Sequence, residues 1–296
     1  MSSLTGKYGI STWVYPSLPV QEATGRLSGL GIHFVEYAFR NLVMSSTDPH
    51  LRREYLAGRN AWDLESDSIP AREIAEVSRS LQVEPIQMHA PDYNIAWPDQ
   101  KRRRLAVNKT GIALEICRRL DVPTLVIHPG VGDPGLLGRS DVPYDRARED
   151  NIMSIKELSR AAADLGVRIA IENRGQDIYG SRPEDLLEMV GLGPETLCAC
   201  LDTGHANKLG LSPSGAIEDL GRTLGATHLH DNEGASDQHL PIFSGSIGWG
   251  EVIRSLSIVK YDEPLIAEIR GHEDQGIGDN RVLLTGLAME HLGMAP

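Results

Sequence analysis

Acidic and imidazole side chains recur in this chain directly after short apolar runs, a pattern suited to holding a divalent cation. The sharpest case is Cys200-Leu201-Asp202-Thr203-Gly204-His205-Ala206-Asn207, where Asp202 and His205 stand three apart just after a run of small apolar residues. The same ending returns along the chain. His89 comes before Ala90-Pro91, His128 before Pro129-Gly130, Glu172 before Asn173-Arg174-Gly175, His228 before Asp231-Asn232 and Glu268 before Arg270-Gly271. Asp237 and His239 add a D-x-H pair after His228. Any one of these alone reads as an ordinary hydrogen-bonded loop residue. Together they do not, because the chain has only 10 histidines and they gather at these run ends. Carboxylates mixed with imidazoles suit Mn²⁺, Zn²⁺, Co²⁺ or Fe²⁺. Packed carboxylates repel, so without a cation some would take up protons. A divalent ion removes that conflict and can polarise a substrate oxygen or acidify bound water.

Such side chains converge only if the elements carrying them share an axis. Eight segments read as buried strands: KYGISTW, HFVEYAF, EPIQMHA, TLVIHPG, VRIAIENRG, LCACLDTG, ATHLHDN and PLIAEIRG. Between them apolar residues fall at helical spacing, as in Ile112, Leu114 to Cys117 and Leu120, or Ile152, Ile155, Leu158 and Ala162. Ser181-Arg182-Pro183 and Ser212-Pro213 look like helix starts. Strands alternating with helices, without a linker rich in Pro, Gly or Ser, predict an α/β fold with one (β/α)₈ barrel across residues 1–296. The long non-periodic segments 41–69 and 130–143 are expected to be loops at the barrel mouth. In such a barrel chemistry sits at the C-terminal ends of the strands, where six of the eight carry the residues above.

Composition narrows the partners. Hydrophobic content of 41% and charged content of 24% belong to a globular protein with a sizeable core. The net charge of −12 argues against a DNA-backbone grip, which usually needs a basic surface. The basic run Lys101-Arg102-Arg103-Arg104 reads as a solvated helix face. No secretory leader or membrane-length apolar stretch is evident, and the three cysteines Cys117, Cys198 and Cys200 read as core thiols, so a cytoplasmic location is expected.

Taken in order, MHAP, VIHPG, IAIENRG, CLDTGHAN, HLHDN, DQHLP and AEIRG resemble the xylose isomerase-like TIM barrels, a family of sugar isomerases and epimerases, inosose dehydratase and endonuclease IV-type AP endonucleases. The resemblance implies a single divalent ion held by Glu172, Asp202, His228 and Glu268 in the epimerase branch, where the two glutamates also move protons on and off carbon. In the endonuclease branch it implies three zinc ions on His89, His128, Glu172, Asp202, His205, His228, Asp237, His239 and Glu268. Ligand chemistry alone leaves both open. Endonucleases of this kind carry a cysteine after D-T and an A-A-G-Y-D run after the histidine, whereas this chain has Gly204 and then Ala206-Asn207-Lys208-Leu209. The short Asp231–Asp237 segment and the acidic balance also favour a small-molecule substrate.

Further residues are expected at the mouth. Arg40, Arg174 and Arg270 offer guanidinium forks for carboxylates, phosphates or vicinal hydroxyls. Trp13 and Trp97, with Tyr93 and Trp249, offer flat rings for a sugar face. Glu36 points inward, to bond a hydroxyl or pair with Arg40, and His230 shares the face of His228.

The expected function is a divalent-metal-dependent isomerase or epimerase of a sugar, keto-sugar or related polyol, with a dehydratase or lyase variant open. Glu172, Glu268 and His205 are the expected catalytic residues, and His89, His128, His205, Asp237 and His239 further metal or substrate contacts. Manganese is the first expected ion, with zinc, cobalt, magnesium or iron(II) as alternatives. The expected partner is a carbohydrate and not nucleic acid or membrane, with a homo-oligomer left open. The rival reading is a zinc-dependent phosphodiester hydrolase acting on abasic DNA.

Overall fold

Strands buried on both faces read as unbroken apolar runs, because helices cover one side of a parallel sheet and the barrel interior the other. The computed structural model describes residues 7–57, 65–133 and 144–296 and places a strand in each of the eight runs. They are β1 (Tyr8–Ser11), β2 (Phe34–Ala38), β3 (Glu84–His89), β4 (Thr124–Ile127), β5 (Arg168–Glu172), β6 (Leu197–Asp202), β7 (Leu224–His228) and β8 (Leu265–Ala267). Neighbours pair in parallel in the order β7-β6-β5-β4-β3-β2-β1-β8. The last seam closes through Leu229, which bridges Ala267, donates to the Ile266 carbonyl at 2.8 Å and accepts from Glu268 N at 3.0 Å. The result is the (β/α)₈ barrel that the alternation predicts.

The helices follow the apolar spacing. After β1 comes α1 (Val20–Gly29); after β2 come α2 (Phe39–Ser45), α3 (Pro49–Leu56) and α4 (Ala71–Leu81). The long α5 (Gln100–Leu120) and α6 (Tyr144–Leu165) bury Leu114, Cys117, Ile155 and Leu158 against the barrel. Next are α7 (Pro183–Val190), α8 (Thr203–Lys208), α9 (Pro213–Leu220), α10 (Trp249–Val259) and α11 (Gln275–His291). Ser212 caps α9 by accepting from Gly215 N, and Asp202 caps α8 by accepting from His205 N at 2.7 Å.

The segment 41–69 departs from the expected loop. It completes α2, contains α3 and ends in a single 3₁₀ turn at Ser66–Ser68. α3 escaped periodicity because Pro49–Leu56 is short and mostly polar; the Asp48-Pro49 pair that caps it was the available signal. Residues 58–64 of that segment, and 134–143 of the second expected loop, lie outside the described residues. Among the described residues no helix is long and apolar enough to cross a membrane.

Inside the barrel, small side chains make room below the mouth. Val126, Ala170, Cys198, Cys200 and Ala226 form one buried cluster. Two residues further along four of these strands, on the same face, stand His128, Glu172, Asp202 and His228.

Candidate metal centre

Glu172, Asp202 and His228 end β5, β6 and β7, and Glu268 follows β8 directly. One ligand atom from each lies within 4.8 Å of the others. His228 Nδ1 is 3.1 Å from Glu172 Oε1 and 3.7 Å from a Glu268 oxygen. Both His228 Nδ1 and Glu172 Oε1 are buried without a hydrogen-bond partner. Buried polar atoms are rarely left unpaired. Converging nitrogen and oxygen donors with that vacancy fit a divalent cation.

Two of the donors, His228 and Asp202, are aimed by neighbours. His228 Nε2 lies 2.6 Å from a Glu36 oxygen, with both side chains fully buried. Asp202 accepts from His230 Nε2 at 2.9 Å, and its backbone is clasped on both sides by Asn173, whose Oδ1 accepts from Asp202 N at 2.7 Å while Nδ2 donates to Asp202 O at 3.1 Å. Gly204 makes room for His230: a Cβ there would lie 1.9 Å from the imidazole Cε1, which is why the D-T-G-H run tolerates no side chain at its third position.

A second group lies beside the first. His205 Nδ1 donates to Asn173 O at 2.8 Å and His239 Nδ1 to Glu268 O at 2.9 Å. Their Nε2 atoms therefore face Asp237 Oδ2, at 3.2 and 3.3 Å. Asp237 Oδ1 is buried and unpartnered. His89 also turns its Nδ1 to a carbonyl, that of Ala90, and puts Nε2 3.1 Å from Glu172 Oε2. His128 Nε2 stands 3.7 Å from the same oxygen, and its Nδ1 has no partner.

Burial and the neighbouring charges oppose each other across these groups. Burial pushes Glu172 upward, but the imidazoles of His128, His228 and His89 outweigh it and hold this carboxyl well below its usual range. Asp202 is likewise held to about 2, burial being overcome by His205 and His230. Glu268 moves the other way, because burial and the nearby Glu172 charge exceed the help from His228 and His239. Burial alone would depress His89, yet Glu172 carries it to about 9. His205 reaches about 10 and His239 about 9 for the same reason, through Asp202 and Asp237. His128, with burial dominant, falls to about 3.

A cavity of about 340 Å³ opens over this centre, lined by Trp13, Arg40, His89, Asp92, His128 and His205, among others. Trp13 stands edge-on to His239 with ring centroids 4.8 Å apart, and Arg40 lies over the Tyr55 ring. Other expectations do not hold. Arg174 is 5% exposed and turned aside: Nε donates to Pro129 O at 2.7 Å and the guanidinium grips both oxygens of Asp92. Arg270 is exposed outside the cavity lining, and Trp97 lies under Arg102, 4.9 Å from ring centroid to guanidinium. Glu36 bonds neither a hydroxyl nor Arg40, since it is sealed behind His228. Trp249 is buried and donates its indole N–H to Asp231 at 2.8 Å.

Sequence reading missed Gln87, Asp92 and the clasp of Asn173. Gln87 sits two before His89 and so on the same strand face, a usable signal; it donates to Glu36 at 2.8 Å. Asp92 is the one carboxylate of the cavity wall that belongs to neither donor group.

Comparison with known proteins agrees with this architecture. Residues 27–292 match the family model of the xylose isomerase-like TIM barrel. The uncharacterised protein MJ1311 of Methanocaldococcus jannaschii is 32% identical over 209 residues, 68% of this chain and 69% of that protein. Among solved structures, a D-tagatose 3-epimerase-like protein superposes with TM-score 0.71 at 24% identity, covering 97% of this chain and 99% of that one. A D-psicose 3-epimerase, crystallised in the presence of D-fructose, gives TM-score 0.76 at 17% identity over 98% and 100%. The 3-keto-D-glucoside 4-epimerase YcjR from E. coli gives 0.70 at 16% over 95% and 99%. With a barrel closed by eight strands, donors at the strand ends and a family match over nearly its whole length, the chain belongs to the xylose isomerase-like TIM-barrel family.

Proposed function

We propose that this chain is a divalent-metal-dependent isomerase or epimerase that moves a proton at the carbon beside the carbonyl of a sugar, keto-sugar or related polyol. The observation that carries the reading is the convergence of Glu172 and Glu268. The two carboxylates belong to one donor group and line one cavity. Paired carboxylates facing one pocket are what acid-base exchange at one carbon requires. One of the two takes the proton and the other returns one.

Glu172, Asp202, His228 and Glu268 would hold the ion, manganese first among the candidates. When bound, it polarises adjacent substrate oxygens and offsets the negative charge that develops on them. His205 faces the cavity, and against its burial Asp202 and Asp237 raise its affinity for a proton, which fits it to donate to a substrate hydroxyl. Trp13 offers a flat ring on the cavity wall. The similar structures of a D-tagatose 3-epimerase-like protein and a D-psicose 3-epimerase make ketohexoses the first panel to try.

The test is exchange of deuterium from D₂O into carbon, followed by NMR, with D-tagatose, D-psicose and D-fructose and the Mn²⁺-reconstituted chain. Incorporation next to the carbonyl supports the reading; no incorporation with any panel member, at full metal loading, counts against it. A second reading, phosphodiester hydrolysis with several ions, is favoured by one observation: His205, Asp237 and His239 form their own three-donor group. Three zinc ions per chain by elemental analysis together with nicking of abasic DNA would move the assignment there.

A further inference from the structure

Glu36 stands in the middle of β2, fully buried inside a barrel whose interior also holds the apolar cluster Val126, Ala170, Cys198, Cys200 and Ala226. A carboxylate is costly there unless paired and hydrogen-bonded. Its Oε2 meets two groups: His228 Nε2 at 2.6 Å and Gln87 Nε2 at 2.8 Å. Gln87 is itself buried and lies 3.1 Å from His228 Nε2, so the three side chains form a closed set drawn from β2, β3 and β7. A carboxylate oxygen only accepts, so at 2.6 Å the imidazole donates its Nε2–H to Glu36, and the Gln87 amide nitrogen, itself a donor, lies beside that nitrogen without bonding it. With Nε2 committed, Nδ1 is the nitrogen left to face Glu172 and Glu268, and it is the one without a hydrogen-bond partner.

We propose that Glu36, held by Gln87, is a positioning residue: it fixes the His228 ring so that Nδ1 is the metal-binding atom, and thereby sets the affinity of the centre without touching substrate. The inference rests on reading Glu172, Asp202, His228 and Glu268 as a metal site. It gives a reason for a buried charge that neither the core nor the cavity uses. The alternative is that Glu36 and His228 are a structural ion pair whose removal only weakens the fold.

The two roles separate by measuring metal affinity and thermal unfolding on the same variants. Glu36→Gln keeps the shape and an acceptor for His228 but removes the charge. The expected result is Mn²⁺ binding weaker by about 10- to 100-fold, read from free Mn²⁺ by electron paramagnetic resonance, with an unfolding midpoint of the metal-free chain that is unchanged or higher. Gln87→Met should weaken binding in the same direction by less. In the Zn²⁺-loaded wild type labelled with ¹⁵N-histidine, His228 should carry its single proton on Nε2. A Glu36→Gln chain that binds Mn²⁺ within twofold of wild type overturns the proposal, as does a His228 proton found on Nδ1. Should Glu36→Gln fail to fold, Gln87→Met decides by the same criterion, and unchanged binding in it counts against the proposal. If wild type takes up neither Mn²⁺ nor Zn²⁺, the metal reading falls and takes this inference with it, an outcome distinct from a wild type that binds and a variant that binds equally well.

Discussion

Two of the donor groups at the barrel mouth are built by different means. The deeper one, Glu172, Asp202, His228 and Glu268, stands at the ends of strands and is aimed by other side chains: Glu36 behind His228, and His230 and Asn173 around Asp202. The outer one, His205, Asp237 and His239, stands on α8 and in the segment after β7, and its two imidazoles are aimed by backbone carbonyls. Its side chains are 12%, 28% and 13% exposed, against 0% for His228 and Asp202, 1% for Glu172 and 12% for Glu268. Deeper burial strengthens every electrostatic contact to the donors, and screening by water weakens those at the rim. The deeper group is therefore expected to hold its ion more tightly and to carry the chemistry.

The sharpest way to break that comparison is to disarm each group in turn. Glu172→Gln or Glu268→Gln should lower deuterium exchange by about 10²- to 10⁴-fold while circular dichroism remains that of wild type. If either keeps wild-type exchange, the deeper group is not the reacting one. Chelation comes next in size. Removing the ion should lower the unfolding midpoint by several degrees, since an ion at a hundredfold over its Kd adds about 2.7 kcal/mol. A midpoint indifferent to chelator would mean that no ion is held in the native state. Asp237→Asn should leave the tightest Mn²⁺ site within a few-fold of wild type and remove any weaker one, a difference that isothermal titration resolves; loss of the tight site instead would reverse the ranking.

The smallest effect concerns the metal-free chain. His89, His205 and His239 have folded values of about 9, 10 and 9, above the ordinary histidine value near 6.5. A group raised on folding contributes stability that is full below its unfolded value and is lost as pH climbs through the folded one. Metal-free protein should thus lose midpoint between pH 7 and 10, and cation uptake near pH 7 should release protons to a weakly buffered solution. A midpoint that rises over that window would contradict the assigned pairing.

Much of this was written openly in the chain. The eight strands are legible because buried parallel strands are mostly apolar along their length, and five of them, β1, β3, β5, β6 and β7, stop at a polar residue. The misplaced residues and the unforeseen contacts have specific causes. Alternation puts Arg174 on the side of Glu172 and Arg270 on that of Glu268, but β5 ends at Glu172 and β8 at Ala267, so strand periodicity no longer applies to either arginine. Glu36, Gln87 and His228 are separated by up to 192 residues, and their triangle exists only because the barrel closes; no local pattern encodes it. Trp249 was read as a ring for substrate because of its place after the D-x-H pair, whereas it opens α10 and anchors Asp231.

Cys200 lies one inward step below Asp202 on β6, directly under the donors. Burial raises its thiol far above the ordinary range, so at neutral pH it stays protonated and supplies no sulfur anion. A thiophilic ion such as cadmium or mercury could reach that sulfur only by passing the nitrogen and oxygen donors above it and displacing its proton, so the barrel keeps its softest ligand last in line.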